Sequence, residues 1–284
     1  MKNKVLVLGG KGKTGRKVAK RLTKLDQIVR IGSRSESPSF DWQDPLTWPA
    51  ALKGMDKLYI TFQPDLAVPG ALEAIEELTK EAKKSGINKL VLLSGKGERE
   101  AELCEQVVIH SGIDFTIVRA SWFNQNFSES FFLDPILEGH VALPQAQAKV
   151  PYVDTGDIAD VAVAALLNDE HDGQIYQLTG PRLLTFEDVI KEISIATARH
   201  ISFTSISLNA YTKMLEDFGV PADYIWLINY LFTEVLGEEQ NSFVTNDIEK
   251  ILGRKPKDFS AYVQEAAATG VWNPTVTQAE KVVF

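Results

Sequence analysis

The sequence predicts a doubly wound α/β fold, a parallel sheet with helices on both faces, joined to a smaller and mostly helical C-terminal lobe. Three observations carry that prediction. Short apolar runs of strand length recur, such as Val5-Leu6-Val7-Leu8 and Leu90-Val91-Leu92-Leu93, as expected for strands buried on both faces. Between them lie segments with helical periodicity, of which Gly70 to Ser85, with Leu72, Ile75, Leu78 and Ala82 on one face, is the longest. The links are short, and strands alternating with helices over short links build a parallel sheet.

Taken in order, Val5–Leu8 opens the chain as a buried strand, followed by Gly9, Gly12 and Gly15. Val18, Ala19, Leu22 and Leu25 then recur at helical spacing. Ile28 to Gly32 is the second strand, and Phe40-Asp41-Trp42 is a short candidate strand. Leu46 to Leu52 is helical, Leu58 to Phe62 a strand, Gly70 to Ser85 a helix and Lys89 to Ser94 a strand. Arg99 to Ser111 is a helix and Phe115 to Arg119 the next strand. Beyond about Ala120 the texture becomes mixed and rich in aromatics. Pro151 to Asp154 is expected as a strand, Asp157 as the N-cap of the helix after it, and Gln174 to Leu178 as a further sheet strand. Helices dominate after about Leu208. The expected organisation is a dinucleotide-binding domain over residues 1–120, its sheet completed by segments from 150–180, with 121–284 forming mainly the substrate-side lobe.

The stretch GGKGKTG admits two phosphate-binding readings. Gly12-Lys13-Thr14 resembles the end of a P-loop, but that motif needs a glycine five positions before Gly12, where Val7 stands. The spacing Gly9-x-x-Gly12-x-x-Gly15, placed between a buried strand and a helix, instead fits a dinucleotide site. There bare backbone approaches a pyrophosphate and the helix N-terminus supplies amide donors. An NAD site carries an acid about 20 residues further on. Here the second strand is followed by Ser33-Arg34-Ser35, and a guanidinium flanked by hydroxyls suits a 2′-phosphate. The expected cofactor is NADP(H).

The remaining features exclude other classes. The chain of 284 residues has a net charge of −8 and no long Lys/Arg block, against a direct nucleic-acid partner. Cys104 is its one cysteine, which favours a reducing compartment. No apolar run approaches the roughly 18–20 residues that span a bilayer, so the expected location is cytoplasmic and no membrane partner is expected. His110, His140, His171 and His200 are scattered without metal-ligand spacing. Leu92 stands where a nucleophile elbow around Ser94 would need glycine. Glu98, Glu100, Glu102 and Glu105 read as a solvated helix face, and Cys104 as a packing residue.

The segments GGKGKTG, SRS, FDW, KLVLLSG, DFTIVRASWFNQNF, PYVDTGDIADVAVAALL and YQLTGPRLLTFEDV together resemble the NmrA-like family of atypical short-chain dehydrogenase/reductases. The resemblance is strongest to the subgroup of clavine dehydrogenases and quinone-reductase-like members. It implies a Rossmann fold of the extended or atypical type. It also implies that Gly9, Gly10, Gly12, Lys13, Thr14 and Gly15 grip the pyrophosphate, and that Ser33, Arg34 and Ser35 meet the 2′-phosphate. By the same resemblance Asp41 faces the adenine, Phe62 and Gln63 border the ribose, and Ser94 lies near the nicotinamide. Trp122, Phe123 and Asn124 line the nicotinamide and substrate end, with Ser94, Trp122 and Asn124 positioning the reactants.

The chemistry departs from ordinary carbonyl reduction. Typical short-chain reductases carry Tyr-x-x-x-Lys on the helix after the Ser-bearing strand, the lysine lowering the tyrosine pKa for proton donation. Here that region reads GKGEREAELCEQVVIHSG, with Lys96 but no tyrosine. Hydride transfer to a quinone or a cationic iminium needs less proton help, and the aromatics of Trp122–Phe132 and Tyr211–Phe232 suit a flat apolar substrate. The expectation is an NADPH-dependent reductase of a small aromatic or conjugated electrophile. The alternative is a non-catalytic NADP-binding redox sensor acting through a protein partner.

Overall fold

The computed structural model describes residues 2–274. The chain begins with β1 (Lys4–Leu8), α1 (Gly15–Lys24) and β2 (Ile28–Gly32), then α2 (Trp48–Leu52), β3 (Lys57–Ile60) and α3 (Ala71–Lys84). It continues with β4 (Lys89–Gly95), α4 (Arg99–Ile109), β5 (Asp114–Ala120), α5 (Leu133–Glu138) and β6 (His140–Leu143). Next come α6 (Thr155–Leu167), β7 (Gln174–Leu178), α7 (Phe186–Thr197) and β8 (Ser202–Ser205). The last helices are α8 (Leu208–Asp217), α9 (Ala222–Tyr230), α10 (Asp247–Leu252) and α11 (Phe259–Ala268). These elements group into two units, one of Met1–Ala120, Thr155–Leu178 and Thr245–Lys255, the other of Ser121–Asp154, Thr179–Val244 and Pro256–Phe284.

The first unit holds a six-stranded sheet in the order β2-β1-β3-β4-β5-β7, and every pairing in it is parallel. The order reverses between β1 and β3, a topological switch point, beyond whose carboxyl ends such sheets bind ligands. Val5, Leu6, Val7 and Leu8 are all fully buried because helices cover both faces. On one face Leu6, Leu58, Leu90, Leu92 and Ile117 pack with Leu52, Ile75, Leu78, Cys104 and Val108 of α2, α3 and α4. On the other, α1 and α6 lie together against the strands. Each such aliphatic side chain contributes about 1.5–3 kcal/mol by leaving water. At the amino end of the sheet, Lys57 Nζ donates to the Leu166 carbonyl (2.6 Å) and Lys89 Nζ to that of Asn168 (3.0 Å). The two ammonium groups thus satisfy the negative end of α6.

In the second unit β6 and β8 form a two-stranded parallel sheet. Its core is mainly aromatic and aliphatic, with Phe127, Phe132, Tyr152, Phe186, Phe232, Phe259 and Trp272 buried together. Polar tips are matched: Trp272 Nε1 donates to the Phe127 carbonyl (2.8 Å), and the Tyr262 hydroxyl donates to Ser128 Oγ (2.7 Å). α7 starts with a reciprocal capping box between Thr185 and Asp188.

Three local expectations are corrected. Phe40–Trp42 is not a strand; the backbone makes one isolated bridge, Asp41 to Asp44, and Phe40, Trp42 and Trp48 gather as a ring cluster instead. Pro151–Asp154 is likewise not a strand, its one bridge of this kind joining Val153 to Phe123 in parallel. Asp157 does not cap α6, which already begins at Thr155; it is buried inside the first turn and ion-paired with Arg254 (2.7 Å).

Candidate functional site

The glycine turn closes on itself. Gly9 has φ +60°, and its carbonyl accepts from Gly12 N (2.8 Å). A Cβ on Gly15 would stand 2.3 Å from that same carbonyl oxygen, so α1 can begin this close to β1 only with glycine there. Gly12 differs. A Cβ there would meet nothing within 4 Å except the Gly9 oxygen at 3.2 Å, which leaves its outer side open to a ligand. α1 then starts at Gly15; Thr14, at its N-cap position, makes no side-chain cap bond, and the first turn holds no acid. A ten-residue helix with an uncapped, acid-free start behind an open glycine is a fitting seat for a pyrophosphate.

After β2, Ser33, Arg34 and Ser35 surround the carboxyl end of the strand. Arg34 is exposed, and the hydroxyls of Ser33 and Ser35 lie 3.3 Å apart. Lys11, which the sequence reading passed over, reaches out of the glycine turn to donate to Ser35 Oγ (2.6 Å) and pairs with Glu36 (2.9 Å). The seat beyond β2 therefore has two cations and one acid. Its cross-turn pairing was hidden because Lys11 and Ser35 are 24 residues apart.

Asp41 shapes its own loop. Its Oδ1 accepts from Gln43 N (3.0 Å), and its carbonyl accepts from Trp48 Nε1 (2.7 Å). Trp42 packs on Phe62 with ring centroids 4.7 Å apart, so the loop after β2 meets the residue just past β3. Thr61, also overlooked, donates its hydroxyl to the Leu8 carbonyl (3.2 Å) and fills the space a Gly9 side chain would need. Gln63 is exposed.

At the end of β4 the expected solvated acid face holds only in part: Glu102 is exposed and Glu100 half-buried, whereas Glu98 and Glu105 are buried. Glu105 is 0% and Ser94 4% exposed. Ser94 Oγ donates to Glu105 Oε1 (2.6 Å), and Arg119 Nε lies 2.9 Å from both oxygens of that carboxylate, with Nη2 at 2.5 Å from Oε2. Parallel register explains the cluster: Ser94 on β4 sits beside Arg119 on β5, and α4 lays Glu105 over both. Glu98 is buried too, its carboxyl pressed against Gly95, where a Cβ would stand 1.9 Å from Oε1. Burial, then the neighbouring Asp65, pushes the Glu98 carboxyl well above the usual range, and burial raises Asp65 as well. Burial lowers Lys96 to about 8 and pushes the Cys104 thiol up to about 12, which leaves that thiol a packing group. Among the described residues no three or more His, Cys, Asp or Glu gather to hold a metal, and no helix is long and apolar enough to cross a membrane.

Trp122 and Asn124 belong to the second unit. Trp122 is half-buried and packs its ring against Phe132, Phe186 and Phe232 at 5.6–6.1 Å. Asn124 is held by its backbone, its N–H donating to the Val153 carbonyl (2.9 Å). Its carboxamide is fully buried, and neither its Oδ1 nor its Nδ2 has a hydrogen-bond partner. An unmatched buried amide of this kind costs about 1–3 kcal/mol per group. Of the aromatics expected to receive a flat substrate, Phe127, Phe132, Tyr211 and Phe232 are core, whereas Tyr224 and Trp226 of α9 are exposed, Trp226 stacking on Tyr230.

The sequence profile of the NmrA-like family matches residues 101–263, more than half of the chain. Prestalk A differentiation protein A of Dictyostelium discoideum is 29% identical over 281 residues, covering 93% of this chain and 92% of its own. The NAD(P)H azoreductase of Xenophilus azovorans is 27% identical, covering 93% of this chain and 98% of its own. Among solved structures, an NADPH-dependent quinone oxidoreductase of Escherichia coli in complex with NADPH superimposes with a TM-score of 0.77 at 18% identity, covering 92% of this chain and 99% of its own. That likeness establishes the shared fold.

Proposed function

The chain belongs to the NmrA-like family, and from that premise we propose that it is an NADPH-dependent oxidoreductase reducing a small aromatic or conjugated electrophile of quinone or iminium type. The observation that carries the reading is the seat formed by the open Gly12, the uncapped start of α1 and the Lys11–Ser33–Arg34–Ser35 cluster. Its amides and dipole suit a pyrophosphate, and its guanidinium, ammonium and hydroxyls suit a 2′-phosphate. Glu36 opposes that phosphate, and its pairing with Lys11 offsets the opposition.

A reduced nicotinamide bound here supplies the hydride. Gly9, Gly10, Gly12, Lys13, Thr14 and Gly15 hold the diphosphate; Asp41, Phe62 and Gln63 border the adenosine; Ser94 steadies the nicotinamide end. Trp122 carries an apolar ring face, and the Asn124 carboxamide carries two N–H donors and an acceptor oxygen without partners, a set suited to a polar ligand group. α4 contributes no tyrosine to this chemistry, which favours acceptors that need little protonation in the transition state. The azoreductase and quinone-reductase likenesses point to the same acceptor class.

The test is NADPH oxidation against a panel of quinones, cyclic iminium ions and azo dyes, with NADPH binding measured in parallel by calorimetry. Turnover on one of these classes is the expected result. Tight binding without turnover on any of them would instead favour a redox sensor working through a protein partner.

A further inference from the structure

A serine hydroxyl owns one proton and accepts through its lone pairs. At Ser94 that proton is spent. Arg119 is cationic at every pH the fold tolerates, and its contacts with both oxygens of the buried Glu105 keep the carboxylate an acceptor. A carboxylate can only accept, so the 2.6 Å contact fixes Ser94 Oγ as its donor. Arg119 sets the polarity of Glu105, and Glu105 sets that of Ser94.

We infer that Ser94 is a positioning residue that presents only lone pairs to a bound ligand, and that it reads the amino group of the nicotinamide carboxamide. The inference rests on the nucleotide seat proposed above and adds a role within it. A hydroxyl that steadies a substrate carbonyl or a developing oxyanion must donate to it, and Ser94 has no proton left for that task. A carboxamide –NH2 is the complementary partner. The Glu105–Arg119 pair is therefore a polarity lock, and it costs the fold a buried charge pair to maintain it.

The 3-acetylpyridine analogue of NADPH replaces that –NH2 with a methyl group and keeps the carbonyl, so calorimetric titration of the full chain with both nucleotides reads the lock without any turnover. The parent protein is expected to bind NADPH about tenfold more tightly than the analogue, the effect of one hydrogen bond. Ser94→Ala, which leaves the Glu105–Arg119 pair intact, should bring that ratio close to one. Glu105→Gln places an amide –NH2 against Ser94 and releases the serine proton, so the ratio should fall below that of the parent. A parent that binds NADPH well with no preference over the analogue, or a preference unchanged in Ser94→Ala, would overturn the inference and leave the nucleotide seat standing. Binding of neither nucleotide would overturn the seat and the inference together.

Discussion

Gly12→Ala and Gly15→Ala add the same methyl group to the same turn and should fail in opposite ways. At Gly15 the Cβ would lie 2.3 Å from the Gly9 carbonyl oxygen and 2.7 Å from its carbon. Both are backbone atoms of a turn that cannot retreat without moving β1 away from α1. The cost should be at the upper end of overpacking, about 3 kcal/mol, read as a fall in the urea midpoint. At Gly12 the nearest atom is the Gly9 oxygen at 3.2 Å and φ is not positive. Mild crowding there is offset by the gain of about 0.4–1 kcal/mol from a less flexible unfolded chain. Stability should stay within about 1 kcal/mol of the parent, by the same balance. The methyl group then occupies the face left for the pyrophosphate, and a group displaced from charge-assisted amide contacts worth about 1.5–3 kcal/mol binds roughly ten- to a hundredfold more weakly. The assay is a urea melt beside a calorimetric titration with NADPH for each variant. A Gly12→Ala protein that folds like the parent and binds NADPH equally well would refute the argument that the ligand approaches bare backbone at this point.

Other outcomes follow from the same geometry. Arg34→Ala should weaken NADPH by about tenfold or more while sparing NADH, since the lost guanidinium contact is to the 2′-phosphate; equal loss of both in titrations would retire that role. Glu36→Gln should free Lys11 and tighten NADPH, whereas a loss of NADH affinity alone would assign Glu36 to the ribose hydroxyl instead. Arg119→Met leaves Glu105 buried without its cation and should lower urea stability by about 3–5 kcal/mol; a change below about 1 kcal/mol, the scale of an exposed pair, would mean that water reaches the carboxylate. Lys96 has a folded pKa of about 8 against an ordinary 10.5. The unfolded chain therefore holds the extra proton between those values, and stability should rise with pH across that window by at most about 3 kcal/mol. Urea melts of Lys96→Met should lack that rise; an identical pH slope in parent and variant would exclude the burial effect.

The sheet was legible because each of its strands announces itself locally. Val5–Leu8 is buried on both faces and so is apolar at every position, and the glycines follow where the chain must turn back into α1. β7 could be placed from Gln174–Leu178 alone. What stayed hidden depends on contacts between distant segments. The glutamates of α4 look like a solvated face when read along the helix, because nothing local shows that Arg119 on the next strand comes into register with Ser94 and draws Glu105 inside. Lys11 was missed for the same reason, since its partners Ser35 and Glu36 lie across the sheet edge. Phe40–Trp42 has the residue types of a strand, but the aromatics found more burial in one another and in Trp48 than in a sheet edge. Asp157 has the residue preference of a cap and lies within the first turn of α6, where Arg254, from α10's side of the sequence, claims its carboxylate. The orphaned amide of Asn124 leaves no mark in the sequence at all, because partnering is a property of the folded surroundings.

The central claim is that a phosphorylated dinucleotide rests on the glycine turn and the start of α1. Isothermal titration calorimetry of the purified protein with NADPH and with NADH tests it most directly. Saturable binding of NADPH, at least about tenfold tighter than NADH as one charge-assisted phosphate contact requires, is the predicted result. Heat of binding from neither nucleotide at millimolar concentration would contradict the account.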